Sequence, residues 1–213
     1  MVTHHTRVIW TVILLFALSS LHSAWAGPPT DQLREGVERV VKTLRDPELR
    51  GDKKTSERRA AISKLADEIF DFTETAKRAL GQHWAKRTPA ERADFVRLFT
   101  GLVQRTYITK VDQYNSDMTF QGDTVDGGQA VVRTTLALSK GGNMSLDYRM
   151  HQPRDRWQVY DINIDGISLV ANYRAQFNKI IRTESYEALV VRLKSHQTNF
   201  SAPSAVSTGR AER

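Results

Sequence analysis

The spacing of apolar residues predicts helices along the first half of the chain. The first helix is expected from Pro28 to Asp46-Pro47, with apolar residues three or four positions apart: Leu33, Val37, Val40, Val41 and Leu44. A second segment contains Ile62, Leu65, Ile69 and Phe70, and a shorter one contains Ala76 and Leu80 before Gly81 interrupts it. Thr88-Pro89-Ala90-Glu91 is typical of a capping box and predicts that a long helix follows. Its apolar residues are Phe95, Leu98, Phe99, Leu102, Val103 and Tyr107.

The pattern then changes to alternation, which predicts four strands. Met118 and Phe120 mark the first strand, and the fourth extends from about Arg156 to Ile164. The alternating residues of the second and third strands are Val132, Thr134, Leu136 and Leu138, then Met144, Leu146, Tyr148 and Met150. Asp126-Gly127-Gly128 and Gly141-Gly142-Asn143 predict hairpin turns, so the sheet is expected to be antiparallel.

Helical spacing returns after Gly166 and gives the last two helices. Their apolar residues are Leu169, Tyr173, Phe177 and Ile180, then Tyr186, Leu189, Val190 and Leu193. Residues 201–213 are small and polar, which predicts a disordered tail. Because neither a repeat nor a linker divides the chain, we predict one α+β domain over residues 27–200, with helices packed on a curved four-stranded antiparallel sheet.

Residues 1–26 have the layout of a secretory signal peptide: a polar start with Arg7, an apolar run, and Ala24-Trp25-Ala26. The run from Val8 to Leu21 has 14 residues, whereas roughly 20 are needed to span a membrane. We therefore expect cleavage after Ala26, which leaves 187 residues. The chain contains no cysteine, so a cysteine-linked lipid anchor, disulfides and thiol chemistry are excluded.

The charge balance favours acidic partners. Of the 31 Lys and Arg residues only Arg7 lies in the signal peptide, so 30 face 24 Asp and Glu in the mature chain, a net charge of +6. Outside the cytoplasm, anionic lipid head groups and acidic protein surfaces are the abundant partners of such a protein, and nucleic acid is not expected. A merely soluble basic surface is an equally good interpretation of net charge alone.

Motifs for catalysis or metal binding are incomplete. His83, His151 and His196 are isolated from one another in sequence, and neither a zinc-protease motif nor a nucleophile elbow is present. A hydrolase built from serine and histidine that meet only in space stays open. The segment from Asp161 to Gly166 matches the opening of a calcium-binding loop, but Asn172 stands where the loop needs a bidentate carboxylate, so we predict no metal site.

The segment from Trp157 to Phe177 resembles the signature of the MlaC family, also called the toluene-tolerance auxiliary family. The residues that carry the resemblance are Trp157, Asp161, Asp165-Gly166-Ile167-Ser168, Tyr173 and Phe177. Phe70-Asp71-Phe72, Ala79-Leu80-Gly81, His83-Trp84, Thr88-Pro89 and the run from Phe95 to Leu102 are also similar to that family. The resemblance extends over nearly all of the mature chain, with the same order of elements.

The resemblance implies a periplasmic phospholipid carrier of a Gram-negative cell that maintains outer-membrane asymmetry, with phospholipid as cargo, no cofactor and no enzymatic activity. Its implied partners are an inner-membrane ABC transporter with an MCE-domain subunit, an outer-membrane lipoprotein–porin complex and, transiently, the membrane surface. The protein is expected to be a monomer, and the direction of transport stays open. Exposing two acyl chains of about 16 carbons to water would cost some 25 kcal/mol, at about 0.8 kcal/mol per methylene, so such a carrier requires an apolar pocket.

The resemblance and the strand alternation together predict a pocket between the sheet and the helices. The residues expected to line it are Phe99, Val103, Tyr107, Val132, Leu136, Leu146, Tyr148, Ile162, Ile164, Tyr173 and Phe177. A shift of one residue in a strand would turn its side chains to the other face. A filled hydrophobic core is the competing interpretation of the same apolar faces, because every amphipathic helix buries one face.

The sequence leaves three functional classes open. They are a phospholipid carrier, a carrier or chaperone for other apolar cargo such as lipoprotein acyl chains, and a lipid hydrolase. The first is favoured by the signature, and the third is disfavoured because catalytic motifs are missing.

Overall fold

The structure, a computed structural model, describes residues 28–111, 118–138, 141–195 and 200–202, and the predicted signal peptide lies outside these ranges. The helices within them are α1 (Pro28–Arg45), α2 (Thr55–Ile69), α3 (Phe72–Leu80), α4 (Pro89–Val111), α5 (Leu169–Thr183) and α6 (Tyr186–Lys194). The strands are β1 (Met118–Asp126), β2 (Gln129–Ala137), β3 (Asn143–His151), β4 (Gln158–Ile164) and β5 (Ile167–Ser168). Short 3-10 turns occur at Pro47–Leu49, Asp52–Lys54 and Gly81–Lys86.

Side-chain caps fix the starts of several helices, as the sequence pattern predicts for α4. The Thr88 amide donates to the Glu91 carboxylate at 2.7 Å, and the Glu91 amide donates to the Thr88 hydroxyl at 3.3 Å. This reciprocal pair is the predicted capping box. Asp71, Ser168 and Ser185 accept in the same way from the first turns of α3, α5 and α6.

The strands form one antiparallel sheet in the order β1-β2-β3-β4-β5. The α+β prediction is confirmed, but the sheet has five strands where four were expected. The additional strand, Ile167–Ser168, is too short to produce an alternating pattern. It folds back on β4 through Asp165 and Gly166, whose φ angles of 46° and 87° are those of the tight turns that match the twist of a hairpin.

Apolar side chains gather in two separate clusters. One lies among α3, α4, α5 and α6 and contains stacked and edge-to-face aromatic rings. The other lies between α1 and the sheet, with Val132, Met150 and Trp157 among its buried members.

The segment that precedes and begins the predicted tail contacts α5. Phe200 packs edge-on against Phe177, with 5.4 Å between ring centroids. Ser201 donates its amide to Gln176 at 3.0 Å, and its carbonyl accepts from Asn172 and Gln176 at 2.8 and 3.0 Å. Phe200 and Ser201 thus lie against α5, and residues 203–213 of the predicted tail lie outside the described ranges.

Candidate functional site

An apolar cavity of about 650 Å³ lies between α1, α2, the second half of α4 and the front face of the sheet. Ligand-binding sites span roughly 300–1,000 Å³, so the space is large enough for a sizeable ligand. The apolar side chains of its wall come from both layers: Leu33, Val37, Val40, Val41, Leu44, Ile62, Ile69, Phe70, Phe72, Val103, Tyr107, Ile108, Met118, Phe120, Leu136, Met144, Leu146, Tyr148, Tyr160, Ile162, Ile164 and Leu169.

The sheet contributes its apolar face because alternate residues of each strand point the same way. In β3, Met144, Leu146 and Tyr148 are buried, whereas Asn143 and Ser145, on either side of Met144, are exposed. Leu146 pairs with Ile164 of β4, and Leu136 of β2 pairs with Met144. These cross-strand neighbours form a continuous apolar floor.

Helix α1 forms the opposite wall and is fastened mainly at its first turns. Thr30 donates from its hydroxyl and amide to Asp123 of β1 at 2.7 and 3.1 Å. Gln32 accepts from the Trp157 amide at 2.8 Å, and Gly36 lies so close to Ile69 of α2 that an added Cβ would be 2.8 Å from its side chain. Farther along α1 the apolar residues Val40, Val41 and Leu44 are only half-buried and face the cavity, and Val37 both lines the cavity and packs against the cluster between α1 and the sheet.

Seven of the eleven residues predicted for the pocket line this cavity. They are Val103, Tyr107, Leu136, Leu146, Tyr148, Ile162 and Ile164. All but two come from the strands, so the strand faces derived from alternation have the correct orientation at these positions.

The other four predicted residues lie elsewhere. Phe99, Tyr173 and Phe177 are fully buried in the helical cluster, where the Phe99 ring centroid is 5.2 Å from that of Tyr173 and 5.4 Å from that of Phe177. The apolar stripe of α4 is continuous, but its first half packs on α5 and α6 and only its second half reaches the cavity. Val132 is fully buried in the cluster between α1 and the sheet, where it pairs with Asp123, the residue that binds Thr30 of α1.

Sequence reasoning missed the contribution of α1 and α2. The apolar stripe from Leu33 to Leu44 is the sequence feature that could have identified α1 as a wall of the cavity. Periodicity identifies an apolar face but carries no information on what that face contacts.

Charged side chains of α1 border the apolar wall. Arg34, Glu38, Lys42 and Arg45 lie along one side of the helix and belong to the same lining, three positive and one negative. The Arg34 guanidinium carbon lies 4.4 Å above the centre of the Phe120 ring, so it is held over the edge strand β1 by a cation–π contact. The rim of the cavity is therefore predominantly basic.

The residues singled out for chemistry have structural roles. Asp161 is buried and accepts from the Ser168 hydroxyl at 2.6 Å and from the Val170 amide at 3.0 Å. Ser168 in turn accepts from the Ala171 amide and caps α5. The signature Asp161, Asp165-Gly166 and Ser168 thus builds a turn and a helix start.

The histidines contact other polar groups. His83 Nε2 lies 3.0 Å from Asn178 Oδ1, and His151 Nε2 lies 3.1 Å from Asp71 Oδ2, whereas His196 is outside the described ranges. In the part of the chain that the structure describes, no three His, Asp or Glu side chains converge as metal ligands would.

Among the helices of residues 28–111 and 141–195, none is both long enough and apolar enough to cross a bilayer.

Ser168→Ala tests the structural role of the signature serine. The substitution removes a helix cap and a hydrogen bond to a buried carboxylate, so we expect the free energy of unfolding to fall by about 2–3 kcal/mol. Ser185→Ala is the matched control, because Ser185 also caps α6 but the carboxylate it contacts, that of Glu187, is exposed to solvent instead of buried, and there the loss should be about 1 kcal/mol. Denaturant unfolding measures both, and equal losses for the two variants would contradict this role of Asp161.

Comparison with known proteins agrees with this geometry. The family model described as MlaC protein matches residues 34–195. A solved structure, the phospholipid-binding protein from Ralstonia solanacearum in complex with a phospholipid, is 27% identical and superposes with a TM-score of 0.70. The match covers 82% of this chain and 99% of that protein.

Proposed function

The chain belongs to the MlaC family, and from this we propose that it is a phospholipid carrier that shelters acyl chains in the cavity between α1 and the sheet. The observation that carries the proposal is the apolar cavity of about 650 Å³, which the protein's own side chains leave unfilled. Empty apolar space is destabilising, because the lining atoms lose contacts on one side. A ligand with apolar chains removes that cost and shields its own methylenes from water.

The charge distribution around the cavity suits an amphiphilic cargo. Acyl chains would contact the floor formed by residues such as Leu136, Met144 and Leu146. The phosphate of the head group would stay near solvent, beside the basic side chains of Arg34 and Lys42 on α1. The phospholipid bound by the similar Ralstonia protein supports this assignment of the cargo.

The proposed setting is the periplasm. The layout of residues 1–26 supports export, and the family supports a shuttle between an outer-membrane lipoprotein–porin complex and an inner-membrane ABC transporter with its MCE-domain subunit. A net charge of +6 in the mature chain would favour docking on acidic partner surfaces and anionic membranes. Binding and release of lipid need no chemical step, so we propose a carrier and not an enzyme.

Extraction of the mature protein, purified without detergent, tests the proposal. Organic solvent should release phospholipid close to stoichiometric with protein, and mass spectrometry should identify it. Recovery of lipidated protein instead would favour a carrier of lipoprotein acyl chains. Fatty acids released from added phospholipid by an otherwise empty protein would favour a hydrolase, and either result would contradict the proposal.

A further inference from the structure

Tyr148 is a polar group set into the apolar wall of the cavity. It belongs to β3 and is only 7% exposed. Its side chain extends across the sheet toward the edge strand β1, where its hydroxyl lies 4.0 Å from the sulfur of Met118. Both residues line the cavity.

The Met118 sulfur is the hydrogen-bond partner that the described residues provide for this hydroxyl. A thioether is a weak acceptor, and 4.0 Å is a long contact. Buried hydroxyl groups normally have a strong partner, because leaving one unpaired is unfavourable. Burial also raises the pKa of Tyr148, so the hydroxyl stays protonated at neutral pH and is available as a donor.

The Tyr148 hydroxyl and the basic rim of the cavity contact neighbouring residues of β1. Met118 and Phe120 are alternate residues of β1 and both line the cavity. The Phe120 ring contacts the Arg34 guanidinium, whereas the Met118 sulfur contacts the Tyr148 hydroxyl. A cation and a hydroxyl donor therefore lie along the same edge of the sheet, the cation toward α1 and the hydroxyl inside.

A glycerophospholipid has a matching order of groups. Its phosphate is followed by glycerol, then by the two ester carbonyls, then by the hydrocarbon chains. An ester carbonyl is a strong acceptor that enters the apolar region with the chains and loses its water there. It needs a donor at the depth where the polar part of the lipid ends.

We propose that Tyr148 is an ester-binding residue, whose hydroxyl donates a hydrogen bond to an acyl ester carbonyl of the bound phospholipid. This inference rests on the proposed function and deepens it, because it makes the protein selective for ester-linked over ether-linked chains. It also sets how far the lipid enters the cavity, since the carbonyl is held beside Met118. Arg34 lies on the path that the head group takes toward solvent.

The test compares diacyl phosphatidylglycerol with its dialkyl ether counterpart of equal chain length, added to delipidated protein. An ether oxygen is a poorer acceptor than an ester carbonyl, and the two lipids share their head group and hydrocarbon. One neutral hydrogen bond corresponds to an affinity ratio of about fivefold. We expect the unaltered protein to bind the diacyl lipid about fivefold more tightly.

Tyr148→Phe keeps the ring and removes the hydroxyl, so it should bind the two lipids equally, with the affinity for the diacyl lipid reduced about fivefold. The ester carbonyl stretch of bound diacyl lipid should also move to higher frequency in this variant. Tyr186→Phe is the matched control: the Tyr186 hydroxyl is bonded to the Glu91 carbonyl, outside the cavity. It should keep the full preference for the diacyl lipid.

The possible outcomes separate this inference from the proposed function. If the unaltered protein binds both lipids with equal affinity, or if Tyr148→Phe retains the preference, the assignment of Tyr148 is wrong while the carrier function stands. If the unaltered protein binds neither lipid, the carrier function itself is wrong. The comparison on unaltered protein does not depend on whether the variant folds.

Discussion

Val103→Trp is expected to reduce phospholipid affinity by at least tenfold while the protein remains folded. Val103 lies on α4 with its side chain at the cavity wall, so a tryptophan would project into the space reserved for hydrocarbon. Displacing two or three methylenes into water costs about 2 kcal/mol, which corresponds to roughly thirtyfold in affinity. Lipid recovered by extraction and the affinity of delipidated protein for added lipid measure the effect.

The thermal stability of Val103→Trp should not fall together with its lipid affinity. A tryptophan that fills apolar empty space gains contacts, so the melting temperature of delipidated Val103→Trp should be equal to or higher than that of the unaltered protein. Val191→Trp is the matched control, because Val191 is 63% exposed on α6. It should leave lipid binding unchanged. Full lipid occupancy in a folded Val103→Trp would exclude Val103 from the binding wall.

Phe177→Ala is expected to lower the free energy of unfolding by about 3–5 kcal/mol. Phe177 is completely buried and its ring contacts those of Phe95, Phe99 and Phe200 at centroid distances between 5.4 and 5.8 Å. Truncation removes these contacts and leaves a closed hole in the helical cluster. A domain of this size is stable by only about 5–15 kcal/mol, so the change is a large fraction of the total and should be evident in denaturant unfolding.

Phe120→Ala is the corresponding truncation at the cavity wall. Phe120 is half-buried and borders space that is already open, so its loss should cost only about 1–2 kcal/mol of stability. Lipid affinity should fall in Phe120→Ala and remain unchanged in Phe177→Ala, measured well below the melting temperature. A fall in affinity for Phe177→Ala alone would mean that the cargo lies among the helices, against Phe99, Tyr173 and Phe177, and not between α1 and the sheet.

The strand residues of the predicted pocket were placed correctly from sequence, whereas some of its helix residues were not. Strand alternation predicted the orientation of Leu136, Leu146 and Tyr148, because a side chain on one face of a sheet has a single alternative. Helical stripes predicted which residues are buried, but they did not distinguish Phe99, which lies wholly inside the helical cluster, from Val103 one turn later, which packs against that cluster and also reaches the cavity. The difference arises from where α5 and α6 end against α4, which is a tertiary property.

The capping box at Thr88 and the helix stop before Pro47 were predictable for a related reason. Both depend on hydrogen bonds or steric limits within a few residues, so local sequence determines them. The strand at Ile167–Ser168 and the cavity between α1 and the sheet were not predictable from local sequence. The strand depends on pairing with Asn163 and Ile164. The cavity depends on hydrogen bonds that join Thr30 of α1 to Asp123 of β1 and Gln32 of α1 to Trp157, just before β4.

A crystal structure of the mature protein purified without detergent tests the central claim most directly. The account predicts elongated density for acyl chains in the cavity, in contact with Val103, Leu146 and Val41, with the polar end of the lipid toward α1 and Arg34. Density for chains among Phe95, Phe99 and Phe177, or a cavity closed by α1 packed directly on the sheet, would contradict it.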